Sequence, residues 1–156
     1  MTINAIGHIG ICVSDLERSL HFWRDGLGFE IIREWEFGGA WRGILEVEGP
    51  DLDLQTRLIR RDHMTLELMC FREPGHVGAA TRRPMNQLGF THVAIWVDDI
   101  DAEAKRLVEF GGTIIEATRT VFDHPRLNGR WVICTDPDGV RVELVQYPEG
   151  EDVIER

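Results

Sequence analysis

The sequence has no apolar run that approaches the roughly 20 residues of a membrane-spanning helix, and its N-terminus has no charged-then-apolar signal segment. Its three cysteines, Cys12, Cys70 and Cys134, are an odd number at irregular spacing, so a disulfide framework is not expected. Basic residues are outnumbered, with 17 Lys and Arg against 27 Asp and Glu, for a formal net charge of −10. Binding to nucleic acid or to an anionic membrane would need a basic face. We therefore expect a cytoplasmic protein with neither kind of partner.

Two similar modules follow one another along the 156 residues. Hydrophobic periodicity and turn residues predict a β-α-β-β-β order in each module, over residues 5–75 and 90–148, with a linker at 76–89. The predicted helices are 14–26 and 99–110, and the predicted strands are 6–13, 29–35, 41–48, 53–60, 63–70, 90–97, 113–120, 130–135 and 140–147. Five of these strands fall in the first module, which is one more than the β-α-β-β-β order requires. A single module leaves one face of its sheet uncovered, so we expect the two modules to join into one curved sheet with the helices outside.

The modules read as copies of one another, and each copy holds one histidine and one glutamate at matching points. The stretch IGHIGICVSDL, which contains His8, matches FTHVAIWVDDI, which contains His92, 84 positions further on. Each copy later has an apolar–Glu–Leu strand, around Glu67 in the first and Glu143 in the second. Two histidines and two glutamates placed by an internal duplication suggest one metal site built from two halves.

Strand alternation predicts where these four side chains point. Successive side chains of a strand face opposite sides of the sheet, and the neighbours of the four polar residues are aliphatic and suited to packing against helices. His8, Glu67, His92 and Glu143 should therefore face a cavity, where they suit a divalent ion such as Zn²⁺, Ni²⁺, Co²⁺, Mn²⁺ or Fe²⁺. The alternative for each residue alone is a hydrogen-bonded structural histidine or a solvent-facing glutamate. The predicted fold class is α+β, with two β-α-β-β-β modules forming a curved mixed sheet around a metal-containing cavity.

These motifs resemble the vicinal oxygen chelate superfamily, which includes glyoxalase I, methylmalonyl-CoA epimerase, extradiol dioxygenases and antibiotic-resistance proteins. The resemblance covers residues 5–148 and is carried by HIGICVSDL, by HVAIWVDDI and by the closing DPDG and VEL segments. It implies paired β-α-β-β-β modules with metal ligands at His8, Glu67, His92 and Glu143. The second half is similar to methylmalonyl-CoA epimerase, but its TDPDG turn, at 135–139, is a form commoner in glyoxalase-like and dioxygenase-like members.

The second glutamate bears on the reaction. Oxygen-activating iron enzymes typically use two histidines and one carboxylate and keep positions open for substrate and O₂. A fourth protein ligand at Glu67 removes one opening and favours Lewis-acid chemistry, in which a proton next to a carbonyl group is removed. By resemblance to glyoxalase I, Glu143 is the candidate base. Glu46, which alternates with Leu45 and Val47 in the predicted strand 41–48, is either an opposing acid–base partner or an exposed strand residue.

Several other residues are predicted to line the substrate pocket. We expect the apolar walls of the pocket to be formed by Trp96, Met69, Trp131, Phe122 and Trp41. The alternative for each of these residues is a place in the hydrophobic core. Arg141, two positions before Glu143, pairs either with an anionic substrate group or with Glu67 or Asp136. His124 is a candidate for the pocket mouth.

Three readings of the function follow. The first is a metal-dependent isomerase or lyase of the glyoxalase or acyl-CoA epimerase type, acting on a small molecule with vicinal oxygens. The second is an Fe²⁺-dependent extradiol-type dioxygenase, and the third is a metal-free binding protein such as a bleomycin-resistance dimer. The resemblance also implies a homodimer, and it leaves open whether the two modules meet within one chain or across two copies.

Overall fold

The computed structural model describes residues 2–49, 51–124 and 127–150, and its internal contacts divide the chain into two compact units, 1–79 and 80–156. Between the last strand of the first unit and the first strand of the second, residues 74–91 form turns and irregular chain. No helix in the described part of the chain is both long enough and apolar enough to cross a membrane.

The first unit is a mixed four-stranded sheet with one main helical segment. In chain order its elements are β1 (Ile9–Cys12), α1 (Leu16–Leu20), a π-helical turn (His21–Gly26), β2 (Glu30–Phe37), a 3₁₀ turn (Gly39–Trp41), α2 (Arg42–Leu45), β3 (Asp53–Arg61) and β4 (Met64–Glu73). The strand order is β1-β4-β3-β2. Strand β1 runs parallel to β4, and the other two pairs are antiparallel.

The second unit repeats this topology. Its elements are β5 (His92–Trp96), α3 (Ile100–Glu109), β6 (Thr113–His124), β7 (Leu127–Thr135) and β8 (Arg141–Gln146). The strand order is β5-β8-β7-β6, with β5 parallel to β8 and the other pairs antiparallel. The predicted α+β class and the two β-α-β-β-β modules are therefore confirmed.

The duplicated aspartates begin the two helices. The carboxylate of Asp15 accepts a hydrogen bond from the backbone N–H of Arg18 at 2.9 Å. The carboxylate of Asp99 accepts from the N–H groups of Asp101 and Ala102, both at 3.0 Å. Each contact satisfies N–H groups that lack a partner within the helix, which is why Asp favours this position.

One face of each sheet packs against its helices. In the first unit Leu66 and Leu68 of β4 have no exposed surface, whereas Glu67 between them is partly exposed. In the second unit Val142 and Leu144 of β8 are likewise fully buried and flank the partly exposed Glu143. The alternation expected from the sequence is therefore present in both central strands. The helices bury a matching set of apolar residues: Leu16, Leu20, Phe22, Trp23, Ile100, Ala104 and Leu107.

The predicted strand at 41–48 is wrong. Strands β2 and β3 pair with each other up to Phe37 and Leu54, so the residues between them form the connection of an antiparallel pair. There the chain makes the 3₁₀ turn and α2, and Glu46 ends that helix with a left-handed φ of 54°. The alternation of polar and apolar residues in WRGILEVE resembles a strand, but the sheet offers this segment no partner for its backbone hydrogen bonds.

Strands β6 and β7 extend further than the predicted limits at residues 120 and 130. Their ladder continues to the pair His124 and Leu127. It is interrupted by a bulge between Ile115 and Thr120, where the Thr118 hydroxyl donates to the Ile115 carbonyl at 2.7 Å and accepts from the Ile133 N–H at 2.9 Å. A bulge of this kind bends a strand and redirects its side chains.

Candidate functional site

A histidine and a glutamate meet beside the parallel strand pair of the first unit. Nε2 of His8 lies 3.1 Å from Oε2 of Glu67. Gly10 is opposite Glu67 in the ladder, and His8 precedes Gly10 by two positions, which places it on the same side of the sheet. The side chain of Glu67 is 14% exposed and that of His8 is 44% exposed, so the pair is open to solvent on the histidine side.

The second unit contains the matching pair. Nε2 of His92 lies 3.5 Å from Oε2 of Glu143, with side-chain exposures of 32% and 26%. Ala94 is opposite Glu143 in the ladder, so His92 again precedes the partner of the glutamate by two positions. The other ring nitrogen of His92, Nδ1, lies 2.9 Å from the Thr91 hydroxyl. This contact orients the ring so that Nε2 faces the carboxylate.

The donor atoms of each pair suit a divalent ion. Two ligand atoms that each lie about 2.1 Å from one ion, at tetrahedral or octahedral angles, are about 3.0 to 3.4 Å apart. The observed separations of 3.1 and 3.5 Å are close to that range. Within either unit, however, the described residues include no group of three or more His, Cys, Asp or Glu side chains placed to hold an ion. Each unit therefore brings together two candidate ligands, whereas protein sites for such ions use three or four.

A cavity of about 430 Å³ lies in the second unit, next to the His92–Glu143 pair. It is lined by Arg82, Arg83, Pro84, Met85, Ile115, Thr118, Ile133 and Arg141. Arg141 is opposite His92 in the ladder and is 7% exposed. Its guanidinium donates a hydrogen bond to the backbone carbonyl of Arg83. Burial, and then the positive charges of Arg82 and Arg83, lower the pKa of Arg141.

The predicted acid–base residue Glu46 lines a different cavity, in the first unit. This cavity has a volume of about 460 Å³ and is lined by Cys12, Glu46, Val47, Glu48, Phe71, Pro74, Gly75, His76 and Val77. Glu46 reaches it from the end of α2 and not from a strand, so its predicted place in an alternating strand is wrong. Its role as an acid–base partner stays a prediction.

The remaining predicted pocket residues line neither of these cavities. Trp96 ends β5 with 44% of its surface exposed. Phe122 and Trp131 face each other across β6 and β7, with ring centroids 5.3 Å apart. Met69 lies on β4 opposite Cys12, and His124 is the exposed last residue of β6. Trp41 packs on Phe37 outside the sheet, with ring centroids 4.8 Å apart.

Arg82 and Arg83 line the cavity of the second unit, but the sequence does not indicate a site there. Both fall in the segment that was predicted to be a linker, because it has no hydrophobic periodicity. The adjacent arginines before Pro84 were the only available signal. Nothing in the sequence indicates that this segment folds back onto Arg141, since that contact joins positions 58 residues apart.

Comparison with known proteins points to one family. The family model for the Glyoxalase/Bleomycin resistance protein/Dioxygenase superfamily matches residues 5–144. The chain is 28% identical over 151 residues to a 2-epi-5-epi-valiolone epimerase of Actinomyces, covering 94% of this chain and 81% of that protein. It is 26% identical over 149 residues to a lactoylglutathione lyase of Neisseria meningitidis, covering 94% of both chains.

A solved structure shares the fold. A glyoxalase family protein from Bacillus cereus superposes with a TM-score of 0.75 at 19% sequence identity, over 94% of this chain and 95% of that one. At this identity the likeness concerns the fold alone.

Proposed function

Because the chain belongs to the Glyoxalase/Bleomycin resistance protein/Dioxygenase superfamily, we propose that it is a metal-dependent isomerase or lyase that moves a proton next to a carbonyl group. The observation that carries this proposal is the pair of His–Glu contacts at matching points of the two units. The similarity of the chain to an epimerase and to a lactoylglutathione lyase supports the same class of reaction. The substrate is a small molecule with vicinal oxygens.

The proposed ligands of the ion are His8, Glu67, His92 and Glu143. One pair has too few donor atoms for a protein metal site, so a complete set needs both pairs. The two carboxylates balance the charge of a dication, which offsets the cost of taking them out of water. Zn²⁺, Ni²⁺, Co²⁺, Mn²⁺ and Fe²⁺ all accept imidazole nitrogen and carboxylate oxygen. When bound, such an ion stabilises the negative charge that develops on a substrate carbonyl oxygen.

Glu143 is the proposed base. Its Oε2 is 3.5 Å from His92, a looser contact than the 3.1 Å of the first pair, and its side chain is more exposed than that of Glu67, at 26% against 14%. A carboxylate that is held less tightly and is more accessible is the better of the two for taking a proton from a substrate carbon. Glu67, the more buried glutamate, then serves as the positioning ligand. Glu46 is the proposed second acid–base group, which returns the proton.

Metal content tests the proposal most directly. Protein purified without chelator is expected to hold about one divalent ion per chain. His8→Ala is expected to lose most of this metal, because one of four ligands is removed. Inductively coupled plasma mass spectrometry measures both. The matched control is His63→Ala, an exposed histidine in the turn between β3 and β4, which should keep the wild-type content. Protein that never holds an ion would rule out both the isomerase and the oxygenase.

Proton exchange then separates the two metal-dependent reactions. In D₂O the loaded protein is expected to place deuterium next to the carbonyl group of a substrate from a panel of α-hydroxy ketones, 2-oxo acids, S-lactoylglutathione and 2-epi-5-epi-valiolone. Mass spectrometry of the recovered compounds measures the exchange. Consumption of O₂ with Fe²⁺ and a catechol, without any such exchange, would instead identify a ring-cleaving dioxygenase.

The proposed homodimer adds a second question, which is whether one ion is held by a single chain or by two. A variant that lacks the first pair (His8→Ala with Glu67→Ala) and a variant that lacks the second (His92→Ala with Glu143→Ala) are each expected to bind no metal alone. Mixed dimers from co-expression with two affinity tags decide the question. One ion per mixed dimer indicates that the pairs of different copies combine, and none indicates a site within one chain. Stoichiometric metal in either variant alone would contradict the four-ligand site.

A further inference from the structure

The arginine cavity of the second unit, defined by Arg82, Arg83 and Arg141 together with its apolar lining, brings three positively charged groups together. None of the three guanidinium groups has a carboxylate of the described residues within ion-pairing distance. The chain as a whole has a formal net charge of −10, so carboxylates are plentiful elsewhere. Within the described part of the chain, three cations without an acidic partner are therefore a local feature of this cavity.

Burial makes the charge on Arg141 costly. Only 7% of its surface is exposed, and its hydrogen-bond partner within the unit is a neutral backbone carbonyl, that of Arg83. Burying an unpaired ionised group is strongly unfavourable, and a planar guanidinium pairs best with a two-oxygen anion. We propose that the arginine cavity binds the carboxylate or phosphate group of a small organic molecule, with Arg141 as the residue that pairs with it.

The wall that carries Arg82 and Arg83 is held in place by close packing. A Cβ atom added at Gly139, which has φ of +87°, would lie 2.5 Å from the Thr81 carbonyl carbon and 2.7 Å from the Arg82 nitrogen. Only glycine allows the chain to approach so closely at this turn. The guanidinium of Arg83 also donates to the Phe90 carbonyl at 2.6 Å. The first contact fixes the arginine segment against the turn before β8, and the second fixes it against the chain just before β5.

The apolar lining indicates what is attached to the oxyanion. Ile115, Ile133 and Met85 form the hydrocarbon side of the cavity, and the Thr118 hydroxyl is already used within the β6 bulge. A short alkyl or acyl chain with one terminal oxyanion would contact the apolar residues with its hydrocarbon part and Arg141 with its charged end. Because Arg141 is opposite His92 in the ladder, this anion would belong to the same molecule as the carbons that react at the His92–Glu143 pair. That last step rests on the proposed function, whereas the binding of the anion does not.

A nuclear magnetic resonance titration of ¹⁵N-labelled protein tests the inference, with the arginine Nε–H signals as the readout. The probes are butyrate, butyl phosphate and, as the uncharged match, 1-butanol. Butyrate or butyl phosphate is expected to shift the Arg141 signal saturably, and the stronger of the two identifies the oxyanion. Arg141→Met is expected to weaken binding by about 10- to 100-fold, the loss expected when a charged hydrogen-bond partner is removed. Arg33→Met, at an exposed position of β2, is the control and should bind as wild type.

A second variant guards against misfolding of the buried substitution. Arg82→Met with Arg83→Met changes two exposed residues and is expected to weaken oxyanion binding severalfold by reducing the local positive charge. Saturation by 1-butanol alone, no response to either anion, or undiminished binding in both arginine variants would overturn the inference. Metal content measured on the same samples keeps the two proposals apart. Oxyanion binding in protein that holds no metal leaves this inference standing and removes the proposed function.

Discussion

Replacement of Glu143 by glutamine is expected to lower the rate of proton exchange per bound ion by about 10²- to 10⁴-fold, the usual contribution of a positioned general base. Glutamine keeps the shape and one oxygen donor of glutamate but does not accept a proton at neutral pH. The rate is measured as deuterium incorporation into substrate, and the metal content of each sample is determined so that loss of the ion is not mistaken for loss of the base.

Glu67→Gln is the informative comparison for this prediction, because the two glutamates occupy equivalent positions in the two units. If Glu143 alone is the base, Glu67→Gln lowers metal affinity but leaves most of the rate per bound ion. Glu103→Gln, which changes an α3 residue that contacts Arg106 at 2.8 Å, is the control for a glutamate outside the site. An equal decrease in the exchange rate per bound ion in Glu143→Gln and Glu67→Gln would contradict the assignment of the base to Glu143.

Trp23→Ala is expected to lower the free energy of unfolding of the first unit by about 3 to 5 kcal/mol, the usual cost of removing a large aromatic side chain from a core. Trp23 has no exposed surface and lies in the π-helical turn. Its ring makes edge contacts with Phe22 and Phe29, with centroids 5.5 and 5.7 Å apart. Truncation therefore leaves a cavity and removes two aromatic contacts. Urea unfolding followed by circular dichroism measures the change.

Trp96→Ala is the matched control for that stability prediction. Trp96 is the same residue type at the end of β5, but 44% of its surface is exposed. Removal of the Trp96 side chain should therefore lower the free energy of unfolding far less than removal of the Trp23 side chain. Similar unfolding midpoints for the two variants would show that the packing of Trp23 does not stabilise the unit in the way its burial indicates. A loss of substrate exchange in Trp96→Ala without a loss of stability would support its predicted place in the substrate pocket.

The sequence by itself determined the repeated architecture. Two features of this architecture are local: the period-two alternation around Glu67 and Glu143, and the aspartate at the start of each helix. Such features can be predicted from one sequence because each depends only on residues a few positions apart. The duplication added a long-range constraint. It linked His8 to His92 and Glu67 to Glu143 as candidate ligands of one metal site, and each unit brings its own histidine and glutamate together.

Only the tertiary structure decided which segments find partners. The segment 41–48 alternates like a strand, yet it forms a turn and a short helix because β2 and β3 pair with each other and leave it no ladder. Arg82 and Arg83 carry no periodic signal, yet they become the wall of a cavity because Gly139 lets their backbone pack against the turn before β8. Both outcomes depend on contacts between distant positions, and no local pattern encodes such contacts. The pairing of β5 with β8 likewise places Arg141 beside the His92–Glu143 pair.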